Sequence, residues 1–245
     1  MKTSNKLTIA AILLVLVSLV YYDLMLKASY MSGTYKDQFR DFVALNFKDF
    51  KSINLGSCTA SNIIVEQGPF SVRIEPTADQ FVKVSQRDQT LHIETAFPGN
   101  YQNSRAEYVL IISCPSLASI AVDSRYMSGD QLVIDTIASA DFKWRPSIIR
   151  GFTLDSLLIT EKHAGSVILQ NNKIKGLKAV IGLEEGSGSN MVILKNNEFQ
   201  DADLHILNKS QLFLHEASIP NLKYQLADSA KLIITGALKK QIIKK

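Results

Sequence analysis

The sequence is short of the residues that most often carry chemistry. In 245 residues there are two cysteines, four histidines and one tryptophan. Cys58 and Cys114 permit a single disulfide, in an oxidising compartment, and exclude a disulfide framework or a four-thiolate zinc site. The histidines, His92, His163, His205 and His215, show no HxH, HExxH or Cys/His spacing, so no metal is expected. No GxSxG motif follows a strand-like run. The glycine-rich stretch at 186–190 lacks the lysine of a phosphate loop, so no nucleotide or other cofactor is expected either. Charge of one sign is missing too: 27 basic and 23 acidic residues leave a net charge of +4, dispersed apart from the tail LKKQIIKK. Nucleic acid is not indicated.

What is there is repetition. The segments SVILQNN (from Ser166), NMVILKNN (from Asn190), SQLFLHE (from Ser210) and AKLIITG (from Ala230) align with Val167, Val192, Leu212 and Leu232 in one column, at offsets of 25, 20 and 20 residues. A second set, LKAVI (from Leu177), ADLHI (from Ala202) and LKYQL (from Leu222), keeps offsets of 25 and 20. Within it Leu177, Ala179 and Ile181 alternate with Lys178 and Val180, a period of two that belongs to strands and not helices. Asn171 and Asn172, then Asn196 and Asn197, mark the corners between the strands of a coil; asparagine tolerates a left-handed backbone and can satisfy turn amides with its side chain. The fold class expected is all-β: a parallel β-helix, or β-solenoid, with coils of about 20 residues stacked on one another.

This alignment assigns faces. With Val167/Leu169, Val192/Leu194, Leu212/Leu214 and Leu232/Ile234 inward, the residues between them, Ile168, Ile193, Phe213 and Ile233, form an outward apolar stripe and a candidate interaction surface. The other outward stacks are Lys178/Asp203/Lys223, Gln170/Lys195/His215/Thr235 and Lys173/Glu198/Ser218. None brings two acids together. That weighs against the main catalytic alternative, a polysaccharide lyase or hydrolase, which needs carboxylates grouped along an outer groove.

Along the chain, residues 1–6 are a short tail with Lys2 and Lys6, and residues 7–26 are apolar except for Thr8, Ser18 and Asp23. Twenty residues at 1.5 Å each match a hydrocarbon core of about 30 Å. The flanking lysines place the N-terminus in the cytoplasm and the rest in the periplasm, on a single-pass inner-membrane protein. The nearest small-x-small sequence, Leu26-Lys27-Ala28, makes a poor cleavage site, so the span reads as an uncleaved anchor. Residues 27–47 form a juxtamembrane segment or solenoid cap. The spacing of Phe39, Phe42, Val43, Phe47 and Phe50 suits a short amphipathic helix there. Residues 48–238 are the solenoid domain, 96–107 within it a mobile polar loop, and 239–245 a basic tail.

Phe50-Lys51-Ser52-Ile53, NIIVEQGPFSVRIE, FVKVS, QTLHIE and YVLIISCPSLASIAV, followed by the 20-residue coils, resemble the bacterial DUF2807 family, the autotransporter adhesin-head or GIN domain, over residues 48–236. The resemblance implies a β-solenoid outside the cytoplasmic membrane and carries no catalytic motif. The functional expectation is a membrane-anchored, non-catalytic interaction module. Its partner would be a protein, a cell-envelope polysaccharide or a second copy of the chain.

Overall fold

In the computed structural model, residues 2–33, 37–99, 108–138, 146–217 and 219–236 are described. The chain divides into two compact units, 1–42 and 43–245. The first is built on helix α1 (Thr3–Ser32), whose most apolar 18 residues have a mean hydropathy of 2.4, and which has no buried residue. Its hydroxyls turn back on their own helix: Thr8 Oγ1 donates to the Ser4 carbonyl at 3.1 Å and Ser18 Oγ to that of Val15 at 2.8 Å. Neither hydroxyl then needs water. Gly33 ends α1 at a φ of 72°, donating its N–H to the Tyr30 carbonyl. The helix therefore runs past the 7–26 span at both ends.

The short amphipathic helix expected around Phe39–Phe50 does not form. After a turn at 38–41 the chain enters strand β1 (Val43–Leu45), antiparallel to β4 (Ser71–Ile74). A helix of two or three turns is marginal alone, whereas a strand at a sheet edge gains ladder hydrogen bonds at once.

The second unit has two sheets. Its C-terminal part is the expected coil: β11 (Ser147–Arg150) and β12 (Thr153–Glu161), β13 (Ser166–Gln170) and β14 (Lys173–Ile181), β15 (Asn190–Ile193) and β16 (Glu198–Ile206), β17 (Gln211–His215) and β18 (Asn221–Leu226), then β19 (Lys231–Thr235). Odd members stack in one sheet and even members in the other, all parallel and in sequence order. The N-terminal part is interleaved. Strand β7 (Leu110–Cys114) lies between β4 and β3 (Ile63–Gln67), and β8 (Ser119–Val122) between β2 (Ser52–Leu55) and β12. Two hairpins complete it, β5 (Val82–Arg87) with β6 (Thr90–Phe97) and β9 (Arg125–Ser128) with β10 (Gln131–Ile134). The resulting sheet orders are β1-β4-β7-β3-β11-β13-β15-β17-β19 and β10-β9-β6-β2-β8-β12-β14-β16-β18. Antiparallel strands thus close the N-terminal end of each sheet, where a bare parallel edge would otherwise invite pairing. At the other end β18 and β19 are last, and the inward positions Tyr224 and Leu226 are 43% and 46% exposed, while Leu204 and Ile206 one coil earlier are at 0%.

Inward side chains run in rows. One row crosses Leu91, Ile53, Ile120, Ile159, Ala179 and Leu204, all buried. Each fully buried aliphatic side chain contributes about 1.5–3 kcal/mol before entropy is subtracted. Between the sheets, corners are held by side chain–backbone bonds. Asn172, wholly buried, donates from Nδ2 to the Ile149 carbonyl at 2.9 Å and to Asn197 Oδ1 at 2.9 Å, while its Oδ1 accepts from Phe152 N at 3.0 Å. Asn197 Nδ2 donates on to the Leu169 and Leu194 carbonyls. The second asparagine of each pair is thus a rung of a buried ladder. The first position of the corner is left-handed at Gly151, Asn171, Glu216 and Gly236.

Candidate binding surfaces

The outward apolar row of the first sheet exists in a different register from the one the sequence suggests. Ile168 is opposite Val192, Val192 opposite Phe213, and Phe213 opposite Ile233, at offsets of 24, 21 and 20 residues. Ile193 instead pairs with Leu169 and Leu214 and is fully buried among inward residues. Leu194, expected inside, is half-buried and follows Ile193 at the corner. The cause is one extra corner residue: three positions separate Leu169 from ladder Asn172, and four separate Ile193 from ladder Asn197. Aligning the two Asn-Asn pairs shifts β15 by one, and a one-residue shift turns every side chain over. For the same reason Lys195 does not stand in the Gln170/His215/Thr235 stack. The row continues as Ile148, Ile64 and Ile111. It is closed to solvent at Ile64, Ile111 and Val192, half-buried at Ile168 and Phe213, and exposed at Ile233. The Lys178/Asp203/Lys223 stack forms as expected. Lys173 meets Glu198 at 3.5 Å, while Ser218 lies outside the described residues, as do 100–107 and 237–245.

Cys58 and Cys114 form no disulfide; both are buried free thiols. Cys58 sits in the turn between β2 and β3, and Cys114 ends β7, alongside Gln67 at the far end of β3. The two corners are a strand length apart, about 13–17 Å at 3.3 Å per residue, well beyond disulfide reach. Burial pushes each thiol up to about 12, so neither is a thiolate at neutral pH. Among the described residues no group of three His, Cys, Asp or Glu is placed to hold a metal.

Two polar features escaped the repeat analysis. The first is Glu161, at 0% exposure in the inward row Ile93, Leu55, Val122, Glu161, Ile181 and Ile206. Neither carboxyl oxygen has a hydrogen-bond partner, and burial holds its pKa well above the ordinary carboxylic range. Period-two counting from Leu157 and Ile159 places Glu161 inside, so this signal was present in the sequence. Its neighbour Cys58 shares a 3.0 Å contact with Ser124 Oγ.

The second is a cleft of about 570 Å³ on the outer face of the second sheet. Its floor is low because Gly56 stands just after β2 and Ala121 at an outward position of β8, in a row where Thr160 and Val180 of the following coils carry longer side chains. One wall is the β5–β6 hairpin, bearing Lys83 and Glu94, which are cross-strand partners. The other is the β9–β10 hairpin, whose Arg125, Met127 and Leu132 share one face, with Leu132 51% exposed. Tyr126, on the opposite face of β9, is edge-on to Phe97, centroids 5.9 Å apart. Among the described residues Arg125 is in no ion pair, and Lys83 stands across from Glu94 without forming one. Asp123 at the rim is engaged by His163 Nδ1 at 2.6 Å and by the Ser124 amide at 2.7 Å, and Lys162 meets Glu184 at 3.6 Å. Glu94 and Asp123 flank Gly56 on either side, their backbones two strand spacings apart, about 9.6 Å.

No protein-family model matches the sequence, and neither does any curated protein. Solved structures resemble the chain at low identity. A candidate adhesin from Parabacteroides distasonis is 11% identical with a TM-score of 0.47, covering 78% of this chain and 71% of that one. A second, from Bacteroides fragilis, is 10% identical with a TM-score of 0.39, covering 79% and 96%. A candidate lipid-binding protein from P. distasonis is 12% identical with a TM-score of 0.25, covering 80% and 94%.

Proposed function

We propose that the chain is a membrane-anchored binding module of the DUF2807 type. In this reading α1 crosses the cytoplasmic membrane with the N-terminus inside, and the solenoid stands in the periplasm and holds a partner without transforming it. The observation that carries the reading is the outer cleft. A catalytic groove for a polysaccharide would group its carboxylates, whereas this one intersperses Glu94 and Asp123 with Lys83, Arg125 and Lys162, beside an exposed leucine and over a floor of small residues. One of its two acids is already engaged by a histidine. The apolar row ending at Ile233 offers a second surface, for self-association.

A reporter fused after Lys245 tests the topology: activity is expected only outside the cytoplasm. Release of a soluble protein shortened by about 28 residues would instead mean a cleaved signal. Crosslinking in intact membranes, followed by mass analysis, tests for a held partner or a second copy. Recovery of the chain alone, as a monomer, would remove the binding reading.

A further inference from the structure

We propose that the C-terminal end of the solenoid docks end-on against the same end of a second copy of the chain, a step that rests on the binding-module reading above and gives it a partner. Strands β18 and β19 are the last of their sheets, and no described strand pairs with their outer edges. The core is unfinished there. Tyr224 and Leu226 are exposed where Leu204 and Ile206 are sealed, and Leu222, Leu232 and Ile234 are only partly covered. The unpaired backbone groups lie on those same residues. Ala227 donates its N–H to the Ile206 carbonyl and Lys231 to that of Ser210, so both point back into the stack. Alternate residues of a strand point their N–H and C=O to opposite edges. The unbroken ladders therefore turn Leu222, Tyr224 and Leu226 of β18, with Leu232 and Ile234 of β19, towards the open end. Each edge offers another strand both hydrogen bonds and apolar cover.

A second copy fits because this end is complementary to itself. Strands β18 and β19 are joined by the corner at 227–230 and run in opposite directions, one in each sheet. A two-fold axis along the strands, midway between the sheets, lays β19 of the second copy on β18 and β18 of the second copy on β19. Both new pairs are antiparallel. Inward positions then meet inward positions, and the residues with unpaired amides and carbonyls on one strand meet those on the other. Counting from the shared corner keeps Lys231 away from Lys223, so no like charges are opposed. The N-terminal end offers no such match, because antiparallel β1 and the β9–β10 hairpin close it. End-to-end docking therefore stops at two copies.

The test follows the full-length chain in detergent micelles over a range of concentrations, by sedimentation and by amide hydrogen exchange read residue by residue. A reversible dimer is expected, with the amides of Tyr224, Leu226, Leu232 and Ile234 gaining protection as it forms. Ile234→Pro removes a donor that faces the open end and spares the ladder to β17. The two-fold loses that donor twice, so the dimer should weaken about tenfold, with thermal melts reporting that the variant is folded. Tyr224→Lys, which would bury an ammonium group from each copy, is expected to weaken it at least as much. Ile233→Ser alters an outward side chain and is expected to leave the dimer intact. A monomer at every concentration overturns the assignment. Protection of the same amides that does not change with concentration also overturns it, because the edges would then be covered within one chain. A dimer unchanged in Tyr224→Lys overturns it even if Ile234→Pro fails to fold, and a dimer lost only in Ile233→Ser moves self-association to the outer row. The binding-module reading itself falls only if crosslinking in intact membranes recovers the chain alone, so the two failures are separable.

Discussion

The two parts of the solenoid solve one packing problem in opposite ways. From β11 to β19 the order in space is the order in sequence, and each coil repeats its predecessor's inward rows and corners. From β1 to β10 the order is broken: β7 enters between strands that precede it, and two hairpins leave the stack. The regular part offers faces of stacked side chains, with a cleft of about 570 Å³ beside the lysine–carboxylate pairs of β12, β14 and β16. The interleaved part, in which strand ends and hairpins diverge, makes a cleft of the same volume lined by Lys83, Glu94, Arg125 and an exposed Leu132 over a floor of small residues. Stacked charges pair across neighbouring strands in the regular part, and where the order is broken Arg125 is in no ion pair among the described residues.

The largest expected effects lie in the regular part. Leu214 is fully buried in the inward row with Ile193 and Ile234, so Leu214→Ala should cost about 2–5 kcal/mol in denaturant unfolding. Asn172→Ala removes the acceptor for Phe152 N and the donor to Ile149 O at one stroke, at a corner closed to water. Each orphaned buried group costs about 1–3 kcal/mol, so this change should approach the leucine deletion in size. A cost no greater than at an exposed asparagine would mean that water enters the corner and the ladder does not hold the coils together.

The register of β15 gives a sharper test. Ile193→Ser places a hydroxyl in the core, whereas Val192→Ser alters the outer row, so the first should lower the melting temperature well beyond the second. The reverse ranking would restore the alignment in which the Asn-Asn pairs define the register.

That pair of residues also shows how far the sequence could be read. Period-two alternation specified the solenoid, the inward Leu204 and Leu214 and the Lys178/Asp203/Lys223 stack, because a half-buried strand must alternate to separate core from water. It failed at β15, where an extra corner residue is invisible once two similar segments are aligned by their asparagines. The interleaving of β7 and β8 was not legible at all. Alternation fixes which face a residue occupies but says nothing about which strand lies beside it. The cleft depends on that pairing: Gly56, Lys83, Arg125 and Lys162 are far apart in sequence and share no motif.

Glu161 lies where the two parts meet, on β12 beside β8, and its effect should depend on pH. Its carboxyl is neutral in the folded chain because burial raises its pKa, whereas in the unfolded chain it ionises near the ordinary value of about 4.3. Its contribution to stability is therefore complete below that value and is lost as pH rises towards the folded pKa. Glu161→Gln should match the wild type near pH 4 and unfold at a higher temperature at pH 8. Glu161→Leu, which restores the aliphatic row of Val122 and Ile181, should be more stable across the range. A wild-type melting temperature that falls no faster with pH than that of Glu161→Gln would show that the carboxylate finds a partner in solution.

The smallest effect is expected on the flat outer face of the regular part. Lys223 stands opposite Asp203 on β16 and outward on β18, exposed at the last strand of its sheet. An exposed lysine beside an aspartate gains little, because water screens the attraction and holding the side chain in place costs rotamer entropy. Lys223→Ala should therefore change stability by no more than about 0.5 kcal/mol in denaturant unfolding. Lys223 lies five strands from β2 in the sheet order, so the substitution leaves the cleft beside β2 untouched. A cost as large as that of Leu214→Ala would mean that the inward and outward positions of β18 are exchanged. The alternation that separates core from outer face in the regular part would then fail.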